Sequence, residues 1–289
     1  MALKMRRYLM GSLAHLRFER TSRRIRVCHG PSTLIDTTSA VLVWEPRRIV
    51  PVYAVPEDAL DATLVPNAPP AHELDDLPPV LGPVNFSLHT CPGQSLDVHV
   101  GQHVLAATAF RPDDTDLAGY VSLDFGAFTW LEEDEEAVGH PHDPFKRIDT
   151  LRSSRHVVVA LNGTVLADTT RAVALLETGL PARWYIPRED VSMELLDPSS
   201  HQTTCAYKGH ASYYSVEGAR AAGRDIAWTY PEPLHDAERV RDLVCFFSER
   251  TDLSVDGVHL DRPVTPWSPP HQQQALFANA DGLSEVDFG

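Results

Sequence analysis

Ser22-Arg23-Arg24-Ile25 opens a stretch running to Pro66, and Ser154-Arg155-His156-Val157 opens one running to Pro198. The two overlay without a gap at an offset of 132 residues, with 15 of 45 positions identical. Shared residues include Arg23/Arg155, Asp36-Thr37-Thr38/Asp168-Thr169-Thr170, Glu45/Glu177, Tyr53/Tyr185 and Glu57-Asp58/Glu189-Asp190, so polar and aromatic residues persist along with the apolar pattern. A repeat of this length is too long for a solenoid unit, and two copies make no array. Duplication of a whole small domain is the reading: an N-terminal extension 1–21, a first copy 22–131 with a proline-rich insertion 66–83, an acidic linker 132–153, a second copy 154–263 and a tail 264–289.

The second copy opens with Val157 to Leu161, then Asn162-Gly163, then Thr164 to Asp168. Asn-Gly between two apolar runs predicts a tight hairpin, because both central residues of the favoured turn need positive φ. Gly30-Pro31 stands at the same place in the first copy. Further strands are expected at 172–176, 183–186, 211–216 and 225–230, each short, β-branched or aromatic, and bounded by Gly, Pro or Asp. A closing hairpin is expected at Asp256-Gly257. One helix is predicted from Ala237 to Ser248, with Val240, Leu243, Val244 and Phe247 on one face and Asp236 as N-cap.

A net charge of −15 argues against binding a phosphate backbone, whose affinity comes from Lys and Arg displacing counterions. The run Glu132 to Glu136 reads as a solvated segment. Cys28, Cys91, Cys205 and Cys245 form no Cys-x-x-Cys pair, so neither a disulfide framework nor a zinc ribbon is written here. A reducing cytoplasm fits, since the N-terminus lacks a sustained apolar core for export and no run approaches a membrane span. His140 and His142 have i, i+2 spacing without carboxylate or thiol company, so no metal site is expected.

The densest polar and aromatic stretch runs Glu177-Thr178-Gly179-Leu180-Pro181-Ala182-Arg183-Trp184-Tyr185, Pro187-Arg188-Glu189-Asp190-Val191, then Thr204-Cys205-Ala206-Tyr207-Lys208-Gly209-His210-Ala211-Ser212-Tyr213, and Ala227-Trp228-Thr229-Tyr230-Pro231-Glu232-Pro233. This stretch resembles the signature of an uncharacterised bacterial family, domain of unknown function 427, over roughly Arg155 to Pro263. Ala206 replaces a motif proline and Trp184 a motif tyrosine. The first copy is more worn: Thr90-Cys91-Pro92-Gly93 lacks the Tyr-Lys pair, and nothing in its sequence corresponds clearly to Trp228. The resemblance implies two tandem copies of a small, mainly β domain, β-tent-like or barrel-like, with one short helix per repeat. It also brings a nucleotidyltransferase label, which the residues do not support, because no Gly-x-x-x-x-Gly-Lys-Ser/Thr phosphate loop is present. No cofactor is named by the residues.

Within the second copy, Glu177, Arg183, Tyr185, Cys205, Lys208 and Tyr213 are the candidate ligand-binding residues. Cys205, Glu177 and Lys208 are the candidates for chemistry. A turn over Ala206 to Gly209 would bring the Lys208 ammonium to the Cys205 thiol and raise its thiolate fraction. Glu177, ending an apolar strand, would be either the ion-pair partner of Arg183 or a general base, and Arg183 could meet a ligand carboxylate through its fork. Tyr185, Tyr207, Tyr213 and Trp228 would share one side of the sheet, either as core or as the wall of a pocket. The leading expectation is a site for a small anionic or aromatic metabolite. An enzyme using Cys205 or Glu177, and a non-catalytic protein-binding scaffold, are the alternatives.

Overall fold

The computed structural model describes residues 2, 11–68, 77, 80–216, 218, 220–265 and 268. Most of the N-terminal extension up to residue 10, much of the proline-rich insertion and most of the tail lie outside the described residues. The chain divides into two compact units, Met1–Asp143 and Pro144–Gly289, and both are mainly β.

The first unit holds β1 Arg17–Arg20, β2 Ile25–His29, β3 Ser32–Thr37, β4 Val41–Trp44, β5 Val52–Pro56, β6 Thr63–Pro66, β7 Gly93–Val100, β8 His103–Pro112, β9 Tyr120–Leu123, β10 Thr129–Glu132 and β11 Glu135–Ala137. They form a seven-stranded sheet, β1-β4-β5-β9-β8-β7-β6, and a four-stranded sheet, β11-β10-β2-β3. Strands alternate side chains between faces. Leu42, Tyr53, Val55, Val121 and Leu123 of the larger sheet therefore share a buried cluster with Ile25, Val27, Leu34 and Trp130 of the smaller. Val41, Val43, Val52, Ala54 and Phe110 form a second cluster on the opposite, outer face under Phe86 and Leu117.

The second unit holds β12 Ile148–Arg152, β13 Val157–Leu161, β14 Thr164–Thr169, β15 Val173–Glu177, β16 Arg183–Ile186, β17 Leu196–Cys205, β18 Gly209–Val216, β19 Ala227–Thr229, β20 Val244–Phe246, β21 Asp252–Val255 and β22 Val258–Leu260. Its seven-stranded sheet runs β12-β15-β16-β20-β19-β18-β17 and its four-stranded sheet β14-β13-β21-β22. Taken in chain order, the strands of the two units occupy the same places in their sheets. The turn residues behave as their chemistry dictates: Asn162 and Gly163 have φ 51° and 84°, and Asp256 and Gly257 have φ 53° and 77°, the positive values a tight hairpin needs.

Three expectations are corrected. None of the sheets closes into a barrel. The helix expected over Ala237–Ser248 is a 3-10 stretch, His235–Val240, followed by β20 in the middle of the larger sheet, with Leu234 rather than Asp236 at the N-cap. Asp242, at φ 59°, ends any helical path, and the Val244-Cys245-Phe246 run satisfies its backbone between β16 and β19; the 3.6-residue spacing was shared by two different elements. Among the described residues, α-helix in the second unit is limited to the turn Arg220–Gly223, and in the first unit to Gly11, directly before the 3-10 turn Ser12–Ala14. The stretch 132–153 also carries regular structure: Glu132 pairs with Glu135 across the β10–β11 hairpin, and β12 pairs with β15 from Ile148↔Glu177 to Arg152↔Val173. Charge alone hid those strands, because their inward residues are few.

Gly93 begins β7, where an added Cβ would lie 2.5 Å from the Arg111 carbonyl oxygen and against the Phe110 ring. Gly93→Ala is expected to cost about 1–3 kcal/mol through overpacking, read as a lowered urea midpoint. Gly11→Ala, which meets nothing within 4 Å, should leave the midpoint in place.

Candidate functional site

Ladder register decides which side chains meet. Across the second unit's large sheet, Val173, Tyr185, Cys245, Trp228 and Tyr213 are successive cross-strand partners, so they form one row on one face. The corresponding row of the first unit is Val41, Ala54, Ser122, Phe110 and Ser95. Phe110 thus stands where Trp228 stands, a correspondence the sequence concealed. Register also separates Tyr53 from Tyr185, although they coincide at the fixed offset. Tyr53 pairs with Leu42 and stacks on Trp130 at 5.3 Å, facing the small sheet, whereas Tyr185 pairs with Val173 on the outer face. One residue fewer between β15 and β16 turns the following side chains over, and Trp184 takes the inward place, with Arg155 above its ring at 5.7 Å.

Glu177 ends β15 on the outer face. Lys208, in the turn before β18, reaches it at 2.6 Å, and Lys146, ahead of β12, reaches its other oxygen at 3.1 Å. Gly209, at φ 88°, lets that turn close, and a Cβ there would lie 3.2 Å from the Glu232 carbonyl oxygen. The turn puts Lys208 three residues from Cys205, close enough for the thiol to help raise the Lys208 ammonium's pKa. Burial pushes Glu177 up, but Lys208 and then Lys146 hold its carboxyl below the ordinary range. Burial likewise presses Lys208 down, and Glu177 and Cys205 more than offset it. Both groups of the pair are charged near neutral pH.

Cys205 is free and partly buried. Burial first, then the charges of Cys205, Tyr213 and Glu177, push Tyr230 well above its usual value. Burial, with Asp225 and Cys205, pushes Tyr213 up as well. The Tyr213 hydroxyl bonds Thr203 Oγ1 at 2.8 Å, and its ring lies 4.6 Å from His201. Glu177, Lys208 and Lys146 therefore form one charged cluster, with Cys205 at the start of the Lys208 turn and Tyr230 within electrostatic reach of Cys205 and Glu177, whereas Tyr213 is held by Thr203 and His201. The sequence reading missed Lys146 because it fell in the supposed linker, and it missed Tyr230 although the Trp228-Thr229-Tyr230 spacing puts both rings on one face.

Arg183 and Tyr185 belong elsewhere on the same face. Arg183 does not pair with Glu177; it holds Glu249 with both terminal nitrogens, at 2.8 and 2.6 Å, and donates to Ser248 at 2.9 Å. Its guanidinium lies 5.6 Å from the Trp228 ring and 5.9 Å from Phe247. The Tyr185 hydroxyl accepts from Trp228 Nε1 at 3.0 Å. The space lined by Arg183, Trp184, Ser248 and Thr251 is about 10 Å³, room for about one water. Tyr207 is buried, and His210 is exposed with its Nδ1 at 2.9 Å from Thr204 Oγ1.

The first unit has a carboxylate, Glu45, at the position matching Glu177 in the overlay, in different surroundings. Glu45 meets Arg48 and His89, each at 3.1 Å, and accepts from the Thr90 amide at 2.8 Å. Cys91 faces Glu45, and burial followed by that carboxylate pushes its thiol up to about 12. That value leaves it unreactive near neutral pH. Burial pushes the Cys245 thiol to about 12 as well. Among the described residues no group of three or more His, Cys, Asp or Glu is arranged to hold a metal ion; His142 instead faces Glu132 at 3.3 Å. Asp114-Thr115-Asp116 has the Asp-x-Asp spacing of a metal-dependent transferase, yet Asp114 accepts from the Asp116 amide as the cap of a 3-10 turn.

Among the described residues no helix is long and apolar enough to cross a membrane. A comparison with curated proteins finds no match. A family model described as Domain of unknown function (DUF427) matches residues 149–257, a span that runs from β12 to the last hairpin and includes Glu177, Lys208 and the aromatic row. The matched span lies within the second unit, Pro144–Gly289.

Proposed function

We propose that the second unit binds a small anionic metabolite at the Lys146–Glu177–Lys208 cluster, against Cys205, Tyr213 and Tyr230. The observation that carries this reading is that two ammonium groups converge on one buried carboxylate, which leaves one positive charge uncompensated. In a chain of net charge −15, an uncompensated and partly buried cation is costly unless something negative meets it. The Lys146 side chain is 21% exposed, so an anion can reach it from solvent. Arg183, by contrast, is fully used by Glu249, and Tyr185 by Trp228, so neither belongs to this site.

The two units are read as copies of one ancestral domain in a cytoplasmic protein. What supports the duplication is the gapless overlay of Ser22–Pro66 on Ser154–Pro198, together with matching strand orders in both pairs of sheets. The first copy has no free cation at Glu45, since Arg48 and His89 are committed to it and to the loop around them, and it is read as a lapsed copy of the site.

A thermal-shift series with benzoate, malonate and inorganic phosphate tests the site. A ligand at a hundred times its Kd stabilises by about 2.7 kcal/mol, which is a rise of roughly 5–10 °C in a domain of this size. Lys208→Met should abolish the response. Equal shifts in wild type and Lys208→Met, or no shift with any of the three anions, would remove the proposal.

A further inference from the structure

Glu177 occupies the centre of the site, where a simple anion receptor would hold only cations, and its presence has a chemical consequence. Resting on the anion-binding reading above, we infer that Glu177 sets the valence of the ligand: the site takes a monoanion, such as a monocarboxylate, and discriminates against dianions. Lys146 and Lys208 contribute two positive charges and Glu177 removes one, so the attraction available to a ligand is that of a single charge. The attraction grows in proportion to the ligand's charge, whereas the cost of stripping water from an ion grows with the square of that charge. In a cluster whose three side chains are 7%, 11% and 21% exposed, desolvation is substantial, and a second negative charge costs more than one net cation returns.

Lys146 is the cation to be shared with the ligand. Lys208 is fixed by the turn that Gly209 closes and by its bond to Glu177. Lys146 precedes β12 outside regular structure and is the most exposed of the three side chains. Burial pushes the phenols of Tyr213 and Tyr230 above their usual range, so neither adds charge near neutral pH.

The comparison of benzoate with phthalate isolates valence, since both present one carboxylate on the same ring and phthalate carries a second. With the full chain at about pH 8 and fixed ionic strength, benzoate is expected to bind at least about tenfold more tightly than phthalate by titration calorimetry. In Glu177→Gln, where both lysines are uncompensated, phthalate should gain at least about tenfold and overtake benzoate. Lys146→Gln leaves a neutral Glu177–Lys208 pair and should bind neither. That variant changes the least buried member, so it reports even if Glu177→Gln does not fold. Wild type binding phthalate as tightly as benzoate, an unchanged order in folded Glu177→Gln, or benzoate retained by Lys146→Gln would each overturn the valence inference while leaving an anion site standing. Failure of wild type to bind either ion would sink both readings.

Discussion

Arg48→Ala is expected to destabilise the first unit by about 3–5 kcal/mol, the usual result of removing one partner from a buried ion pair, and to lower its thermal midpoint by roughly 10 °C. The Arg48 side chain is 2% exposed. It holds Glu45 at 3.1 Å and reaches the carbonyl oxygens of Asn85, Phe86 and Leu88 at 3.2, 3.0 and 2.9 Å. These contacts tie the segment after the proline-rich insertion to the outer face of the large sheet, where Phe86 is buried and the His89 ring stacks on Phe110 at 3.7 Å. Truncation leaves buried Glu45 without its guanidinium, held only by His89, the Thr90 amide and the Cys91 thiol, and three carbonyls without their donor. Hydrogen exchange should show amides of 85–90 losing protection before the rest of the sheet. A midpoint within about 2 °C of wild type would show that the strap is held by packing and not by the guanidinium.

The second unit depends on a different pair, and Arg183→Met is expected to cost it a similar 3–5 kcal/mol. Glu249 is fully buried as a side chain and its partner is 7% exposed. Burial pushes Glu249 up, but the Arg183 guanidinium and the Thr265 hydroxyl hold it below the ordinary glutamate range. A depressed carboxyl contributes stability that is present above its unfolded pKa of roughly 4.3 and is lost as pH falls through the lower folded value. Acid unfolding of wild type should therefore steepen below about pH 4, and Glu249→Gln should flatten that limb. Replacing both residues, Arg183→Met with Glu249→Leu, should recover much of the loss, because apolar side chains of similar volume remove the desolvation cost together with the pair. Loss in the double variant equal to the sum of the singles would show no coupling between the two.

Much of the β architecture was legible in the chain. Asn162-Gly163 and Asp256-Gly257 fixed two hairpins through backbone chemistry that few other dipeptides tolerate, and Arg183–Ile186 and Val157–Leu161 were readable as strands from β-branched and aromatic content. The run Val240 to Phe247 was not, since apolar residues spaced for a helix are equally consistent with a buried turn followed by a short central strand. Of the six candidate site residues, Glu177 and Lys208 pair directly and Cys205 begins the Lys208 turn, while the Tyr213 hydroxyl bonds Thr203. The Cys205-to-Gly209 turn is local, and sequence can place two side chains across four residues.

Arg183 was assigned the wrong partner because its carboxylate lies 66 residues away, at a loop that only the folded sheet brings back. The fixed offset of 132 also misled at Tyr185, which register puts on the face opposite to Tyr53. By itself, then, the chain determined strand content, turn positions and the charged turn at Lys208, all of which depend on neighbours in sequence. Tertiary structure alone decided ion-pair partners and facing, because a ladder slip of one residue inverts every side chain and a buried charge takes whichever counter-charge the packing delivers.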